Sequence, residues 1–136
     1  MQRILVTLAL LGAVLGLAGC AKPPYTNVDN PTLKTLIEQG VPLYDVRRPE
    51  EWRQTGVVAG SRLITYVDAR GRLNPEILPR IAAEVPKDAP IALICRTGNR
   101  TDSLARELAE LGYTRVYNVR HGITKWIADG HPVVRP

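Results

Sequence analysis

The chain has 136 residues, 45% of them hydrophobic and 23% charged, which is enough for one domain with a buried core and too short for two. Its formal charge is +5, yet it contains no block of like charges and no interleaving of basic with aromatic residues. Nucleic-acid binding therefore gains no support, and the basic excess suits a small anionic ligand or an anionic lipid surface.

The N-terminal stretch differs from the rest. Arg3 supplies a positive charge, and the run from Ile4 to Cys20 carries none. Such a run is short for a spanning helix and right for the apolar region of a signal peptide. It ends in Leu17-Ala18-Gly19-Cys20, which resembles a bacterial lipobox. The resemblance implies a signal peptide over residues 1–19, cleavage before Cys20, and a diacylglycerol on the Cys20 sulfur. An ordinary secretory signal cut elsewhere, or an uncleaved anchor, would fit the same run. Ala21 follows the cysteine where aspartate would signal retention, so the implied location is the periplasmic side of a bacterial membrane, with the outer membrane favoured. Residues 20–25 then comprise the lipidated cysteine and a short tether, and residues 26–136 the domain. Pro23, Pro24 and the polar residues up to Asn30 read as having little structure.

Beyond this point helix and strand signals alternate. Asn30 reads as an N-cap with Pro31 at the first helical position, Leu33, Leu36 and Ile37 on one face, and Gly40 as the stop. Residues 42–46, "PLYDV", read as a short strand. "RPEEWRQ" has a proline followed by two acids, the composition of a helical first turn. "SRLITY" reads as a strand around Leu63 and Ile64. In "NPEILPRIAAEV", Ile77, Leu78, Ile81, Ala82 and Val85 recur at helical spacing, with Pro79 early enough for its missing N–H to cost little. The unbroken apolar run 90–95, "PIALIC", is expected for a central parallel strand buried on both faces. Residues 101–112, "TDSLARELAELG", form the strongest helical pattern, with Leu104, Leu108 and Leu111 in register and Gly112 closing it. "RVYNV" is a further strand, and "GITKWIADG" a short last helix. This alternation predicts an α/β fold with a mostly parallel sheet.

The chemistry-bearing residues collect after the central strand. The chain has two cysteines. If Cys20 carries lipid, Cys95 stands alone in a compartment that favours disulfides. It is then a small buried hydrophobe or a thiol kept for chemistry; a Cys20–Cys95 disulfide is the third option, open only if Cys20 carries no lipid. Its place favours chemistry: it ends a strand, at the sheet edge where open α/β folds bind ligands. Gly98 permits a tight turn with positive φ, and Asn99 tolerates one. Such a turn aims consecutive backbone N–H groups inward, the next helix adds its positive end, and Arg96 and Arg100 add full charges. These features favour a thiolate and any anionic sulfur bound to it.

Three ordered motifs, "LYDVRRPEEWRQTG", "CRTGNR" and "YNVRHGITKWIADGHPV", resemble those of the single-domain rhodanese-like sulfurtransferases over about residues 26–134. The resemblance implies a central five-stranded sheet flanked by helices on both faces. It also implies sulfur transfer from thiosulfate or a persulfide donor through a Cys95 persulfide to a thiol or, in assays, cyanide. Cys95 would be the nucleophile, Arg96 a contact for the donor anion, and Thr97, Gly98, Asn99 and Arg100 the nest. No cofactor or metal is required. A sulfur-accepting partner protein would fit, so that the chain would serve as a persulfide carrier rather than a freely turning enzyme. Phosphatases on this architecture use a Cys-x5-Arg loop, whereas Cys95 and Arg100 are spaced Cys-x4-Arg, a smaller nest suited to sulfur.

Val57 and Ala59 depart from the histidine and proline usual in the family's Gly-His-Ile-Pro-Gly-Ala segment. His121 is a possible pocket residue beside the Cys95 loop, or a solvated loop residue. Asp45 could orient a pocket arginine or make a structural hydrogen bond. Arg47 and Arg48 could widen the positive field around the pocket or be solvated. Trp52 and Trp126 read as packing residues and His131 as a surface one.

Overall fold

A computed structural model describes residues 19–136; of the leader expected over residues 1–19, all but Gly19 lies outside them. Ten elements follow in chain order: β1 (Thr26–Val28), α1 (Asn30–Glu38), β2 (Leu43–Asp45), α2 (Pro49–Thr55), β3 (Arg62–Leu63), α3 (Ile77–Glu84), β4 (Ile91–Ile94), α4 (Asn99–Glu110), β5 (Val116–Val119) and α5 (Gly122–Ala128).

The five strands form one sheet in the order β1-β5-β4-β2-β3, and every pairing in it is parallel. β4 lies at the centre because all four of its residues are buried, as its apolar run requires of a strand covered on both faces. Its side chains alternate between two cores. Ile91, Leu93 and Cys95 pack with Ile77 and Ile81 of α3 and Leu104 and Leu108 of α4. Ala92 and Ile94 pack with Leu33 and Leu36 of α1 and Ile123 and Trp126 of α5. Each such aliphatic side chain contributes about 1.5–3 kcal/mol on burial, so both layers are anchored to one strand. Alternation also fixes where the thiol goes: Cys95 continues the Ile91–Leu93 face, toward α4.

Three local expectations shift. The stretch up to Asn30, expected to have little structure, contains β1, whose residues Thr26–Val28 pair with Tyr117–Val119. The N-cap of α1 is Asp29, whose Oδ1 accepts the Thr32 amide at 2.9 Å. Asn30 is instead buried inside the first turn and donates to Asp129 Oδ2 at 2.8 Å. Finally, α4 begins at Asn99 rather than Thr101, directly after Gly98. Among the described residues no helix is long and apolar enough to cross a membrane.

Candidate active site

Cys95 leaves β4 at the carboxyl edge of the sheet and is followed three residues later by Gly98, the residue capping α4. The chain reverses there because Gly98 adopts φ +99, a region a side chain would strain. The reversal turns the Gly98 amide back onto the cysteine, where it donates to Sγ at 3.1 Å. The Thr101 hydroxyl also lies 3.4 Å from Sγ.

Two glycines lock this loop to the one after β5. An added Cβ on Gly98 would lie 2.1 Å from the Arg120 carbonyl oxygen, and one on Gly122 would lie 2.3 Å from that of Arg96. The close approach lets the first amides of α5 bind the loop: Ile123 N–H donates to the Cys95 carbonyl at 2.9 Å and Thr124 N–H to that of Arg96 at 3.2 Å. In a trans peptide the N–H opposes the C=O. The amides of Arg96 and Thr97 therefore point away from α5. Neither they nor the first amides of α4, at Asn99, Arg100 and Thr101, have an acceptor among the described residues. Unclaimed amides and a helix N-terminus together favour an anion.

Side-chain positions divide the expected residues into two groups. Arg96, Thr97 and Asn99 are exposed around the loop, and Arg96 has no acidic partner among the described ion pairs. Arg100 is different: its Nη1 and Nη2 each donate to Glu51 of α2 at 2.7 Å. Hydrogen bonding to Glu51 raises the Arg100 guanidinium further, burial opposes it, and the charges of Glu51, Cys95 and Asp45 add to the rise. Burial pushes the Glu51 carboxyl up, but hydrogen bonds from Arg100 and the Arg48 amide outweigh it and hold the group down at about 2. Arg100 is thus a charged brace between α2 and the loop, with its fork already occupied.

Arg47 corrects an expectation outright. It does not widen the pocket's field; it is 0% exposed. Its guanidinium donates to both Asp45 carboxylate oxygens, at 2.7 Å from Nη2 to Oδ2, and also to the Gly56 carbonyl and the Thr55 hydroxyl. Asp45 also accepts from Trp52 Nε1 at 3.1 Å. A buried charge needs such pairing, and here it fastens α2 to the sheet edge. Asp45 therefore does orient an arginine, in the core rather than in a pocket. His121 is exposed and lines a cavity of about 320 Å³ beside the loop, together with Thr97, Thr124, Lys125 and Ala128. His131 is half-buried, its ring 4.5 Å from that of Trp126. Cys20 is exposed and Cys95 buried, both as free thiols.

Sequence reasoning missed three residues here. Glu51 was legible only as a first-turn acid. In sequence Thr101 reads as a helix start and Asn118 as a strand residue. Thr101 Oγ1 lies 2.5 Å from Asn118 Oδ1, with both residues buried. The available signal was polarity in the wrong place: Asn118 interrupts an apolar strand, and a buried polar group implies a partner. Among the described residues no group of His, Cys, Asp or Glu is arranged to hold a metal ion.

Known proteins resemble this chain in sequence and in fold. A sulfurtransferase from Allochromatium vinosum is 33% identical over 98 residues, covering 72% of this chain and 82% of its own. Thiosulfate sulfurtransferase 18 of Arabidopsis thaliana is 30% identical over 111 residues, covering 79% and 82%. The crystal structure of a rhodanese-related protein from Thermoplasma volcanium superposes with a TM-score of 0.64 at 29% identity, covering 82% of this chain and 100% of that one. The profile of the rhodanese-like domain matches residues 29–129, a span that begins before α1 and ends after α5, and the chain belongs to that family.

Proposed function

We propose that the chain is a sulfurtransferase that carries sulfane sulfur on Cys95. The observation that carries this reading is the Gly98 amide on Cys95 Sγ, with the unclaimed amides of the loop beside it. In the loading step the Cys95 thiolate attacks the terminal sulfur of thiosulfate. The bond between the two thiosulfate sulfurs breaks, its electron pair leaves with sulfite, and Cys95 holds a persulfide whose charge sits on the outer sulfur. In the unloading step an acceptor thiolate or cyanide attacks that outer sulfur, and the electron pair of the S–S bond returns to Sγ. Cys95 is 1% exposed, so a donor must present its sulfur end-on, as thiosulfate and persulfides do. Arg96, exposed and without an acidic partner, supplies attraction for the anionic end.

The burial of Cys95 also supports a second reading, in which the loaded chain waits for a sulfur-accepting protein and turns over little with small acceptors. The leader reading adds a location: a chain anchored through lipid on Cys20 at the periplasmic side of a bacterial membrane. Steady-state release of sulfite from thiosulfate with cyanide separates the first two readings. Wild type should release sulfite and Cys95→Ser should release none; release by the serine variant would end the proposal. Intact mass after thiosulfate treatment should rise by one sulfur on the wild type alone. A rise without turnover favours the carrier. The same spectrum of the membrane-extracted chain reads the lipid on Cys20, and an unmodified Cys20 removes the anchor.

A further inference from the structure

The hydroxyl beside the thiol is not placed to help it ionise. Thr101 is wholly buried and has one proton to give. Three acceptors surround its Oγ1: Asn118 Oδ1 at 2.5 Å, the Gly98 carbonyl at 3.1 Å and Cys95 Sγ at 3.4 Å. The proton goes to the closest, provided Asn118 keeps its oxygen on that side. Two contacts hold it so. Asn118 Nδ2 donates to the Gly98 carbonyl at 3.4 Å and to Asn27 Oδ1 of β1 at 3.0 Å. The Gly98 carbonyl cannot donate in return, so a reversed amide would set two acceptors against each other.

With its proton committed, Thr101 turns a lone pair toward Cys95. The neutral thiol satisfies this lone pair by donating S–H to it, while Gly98 N–H donates to sulfur. A charge on Sγ faces the lone pair instead, or draws the proton over and leaves Asn118 Oδ1 buried without a donor. Both cost free energy. A persulfide has no S–H to offer that lone pair either, but it avoids the repulsion, because its charge lies one sulfur further out, among the loop amides.

We propose that Thr101 and Asn118 form a positioning pair that keeps negative charge off Cys95 Sγ and so prolongs the sulfur-loaded state. The inference rests on the persulfide reading above. It follows from the unloading step: when an acceptor takes the outer sulfur, Sγ departs as a thiolate, and a leaving group whose charge is disfavoured departs slowly. The other charges near the thiol do not belong to the pair. Arg100 on α4 is held by Glu51 of α2, Asp45 of β2 is paired with Arg47, Lys125 of α5 is paired with Asp129, and Arg96 and His121 are exposed. They stay in place when the pair is altered.

The test measures the pH profile of Cys95 alkylation by iodoacetamide on the full chain, after masking of Cys20 or in a Cys20→Ser background. Thr101→Val keeps the shape and removes the lone pair. Its alkylation midpoint should fall by about half to one pH unit, the scale of one hydrogen bond. Asn118→Leu frees the Thr101 proton for sulfur and should move the midpoint the same way, while Thr101→Ser should keep the wild-type profile. Persulfide loaded from thiosulfate should discharge to cyanide about three- to tenfold faster in Thr101→Val, read as thiocyanate. A midpoint that rises in Thr101→Val makes the hydroxyl a thiolate donor and overturns the proposal, as does one that does not move. If Asn118→Leu fails to fold, the valine and serine variants decide alone. Failure of wild type to load sulfur at all defeats the persulfide reading, and the alkylation profile still reports on the pair.

Discussion

Gly98 shows how much one residue decides. Its φ of +99 and the 2.1 Å that separates a would-be Cβ from the Arg120 carbonyl oxygen act on the same atom. The first is a local penalty of about 1 kcal/mol or more, and the second cannot be relieved without parting the two loops. Gly98→Ala should therefore lower stability by about 2–4 kcal/mol in urea unfolding and abolish thiosulfate-dependent sulfite release, because the amide that faces Sγ moves with the turn. A variant with wild-type turnover would show that the turn tolerates a side chain and that the Gly98 amide is not needed. This position was legible in the sequence, since a glycine three residues past a strand-end cysteine has few other uses. The burial of Arg47 departs from its expected place at the pocket, although its pairing has a signal in the sequence. Asp45 and Arg47 are two apart in extended chain, so they share a side, and two opposite charges on one side at a strand end pair before they reach solvent. Asn118 and Thr101 lie seventeen residues apart in sequence, with no local pattern to join them.

Between elements, the site depends on α2 as a strap. It is held below by Arg47, which reaches Asp45, Thr55 and Gly56. It is held to the loop by Glu51, whose carboxylate accepts from Arg100 twice and from the Arg48 amide at 2.9 Å. Glu51→Gln keeps the shape but removes the charge that faces Arg100. The side chains of the pair are only 11% and 20% exposed, so the loss should exceed that of a surface pair yet fall short of a fully buried one, at about 1–3 kcal/mol in urea unfolding. Arg100, freed from its partner, should then gain mobility and loosen the loop it braces, so sulfite release should fall severalfold through kcat more than through KM. An unchanged kcat with unchanged stability would show that the brace is dispensable. The helices themselves were legible because burial follows a period near four: Leu104 and Leu108 of α4 and Ile77 and Ile81 of α3 are all buried. β1 was not, because its burial pattern is exposed, exposed, buried over three residues. It is a strand because β5 offers an open edge, a tertiary cause that three residues cannot signal.

At the scale of the molecule, parallel pairing sends the carboxyl ends of β1, β2, β4 and β5 to the same edge, so the segments that follow them, bearing Asp29, Arg47, Cys95 and His121, collect there whatever their separation in sequence. Alternating helix and strand signals were enough to place Cys95 at that edge, and the family resemblance added the number of strands, but the order β1-β5-β4-β2-β3 was contained in neither. The same packing sets the pH range in which the fold is stable. The carboxyls of Glu51 and Glu84 are each held down at about 2, and Asp29, Glu50, Asp68, Asp102 and Asp129 are also lowered. A lowered carboxyl binds fewer protons in the folded state than in the unfolded one, so its contribution is complete above the ordinary carboxylate range and is lost as pH falls toward 2. Tyrosines bound the other side. Burial, with a hydrogen bond to Glu84, pushes Tyr44 up to about 12, and burial with Glu107 raises Tyr66 as well. For a raised acid the sign reverses: its contribution is complete below the ordinary tyrosine value of about 10 and is lost as pH climbs through the folded one. Urea midpoints should therefore be flat from about pH 5 to 9, fall below pH 4.5, and fall again above pH 10. In Glu51→Gln the acid limb should be shallower than in wild type and the alkaline limb unchanged, since Glu51 contributes to the first alone. An acid limb of equal slope in the two proteins would mean that the tie between α2 and the Cys95 loop takes no part in acid unfolding.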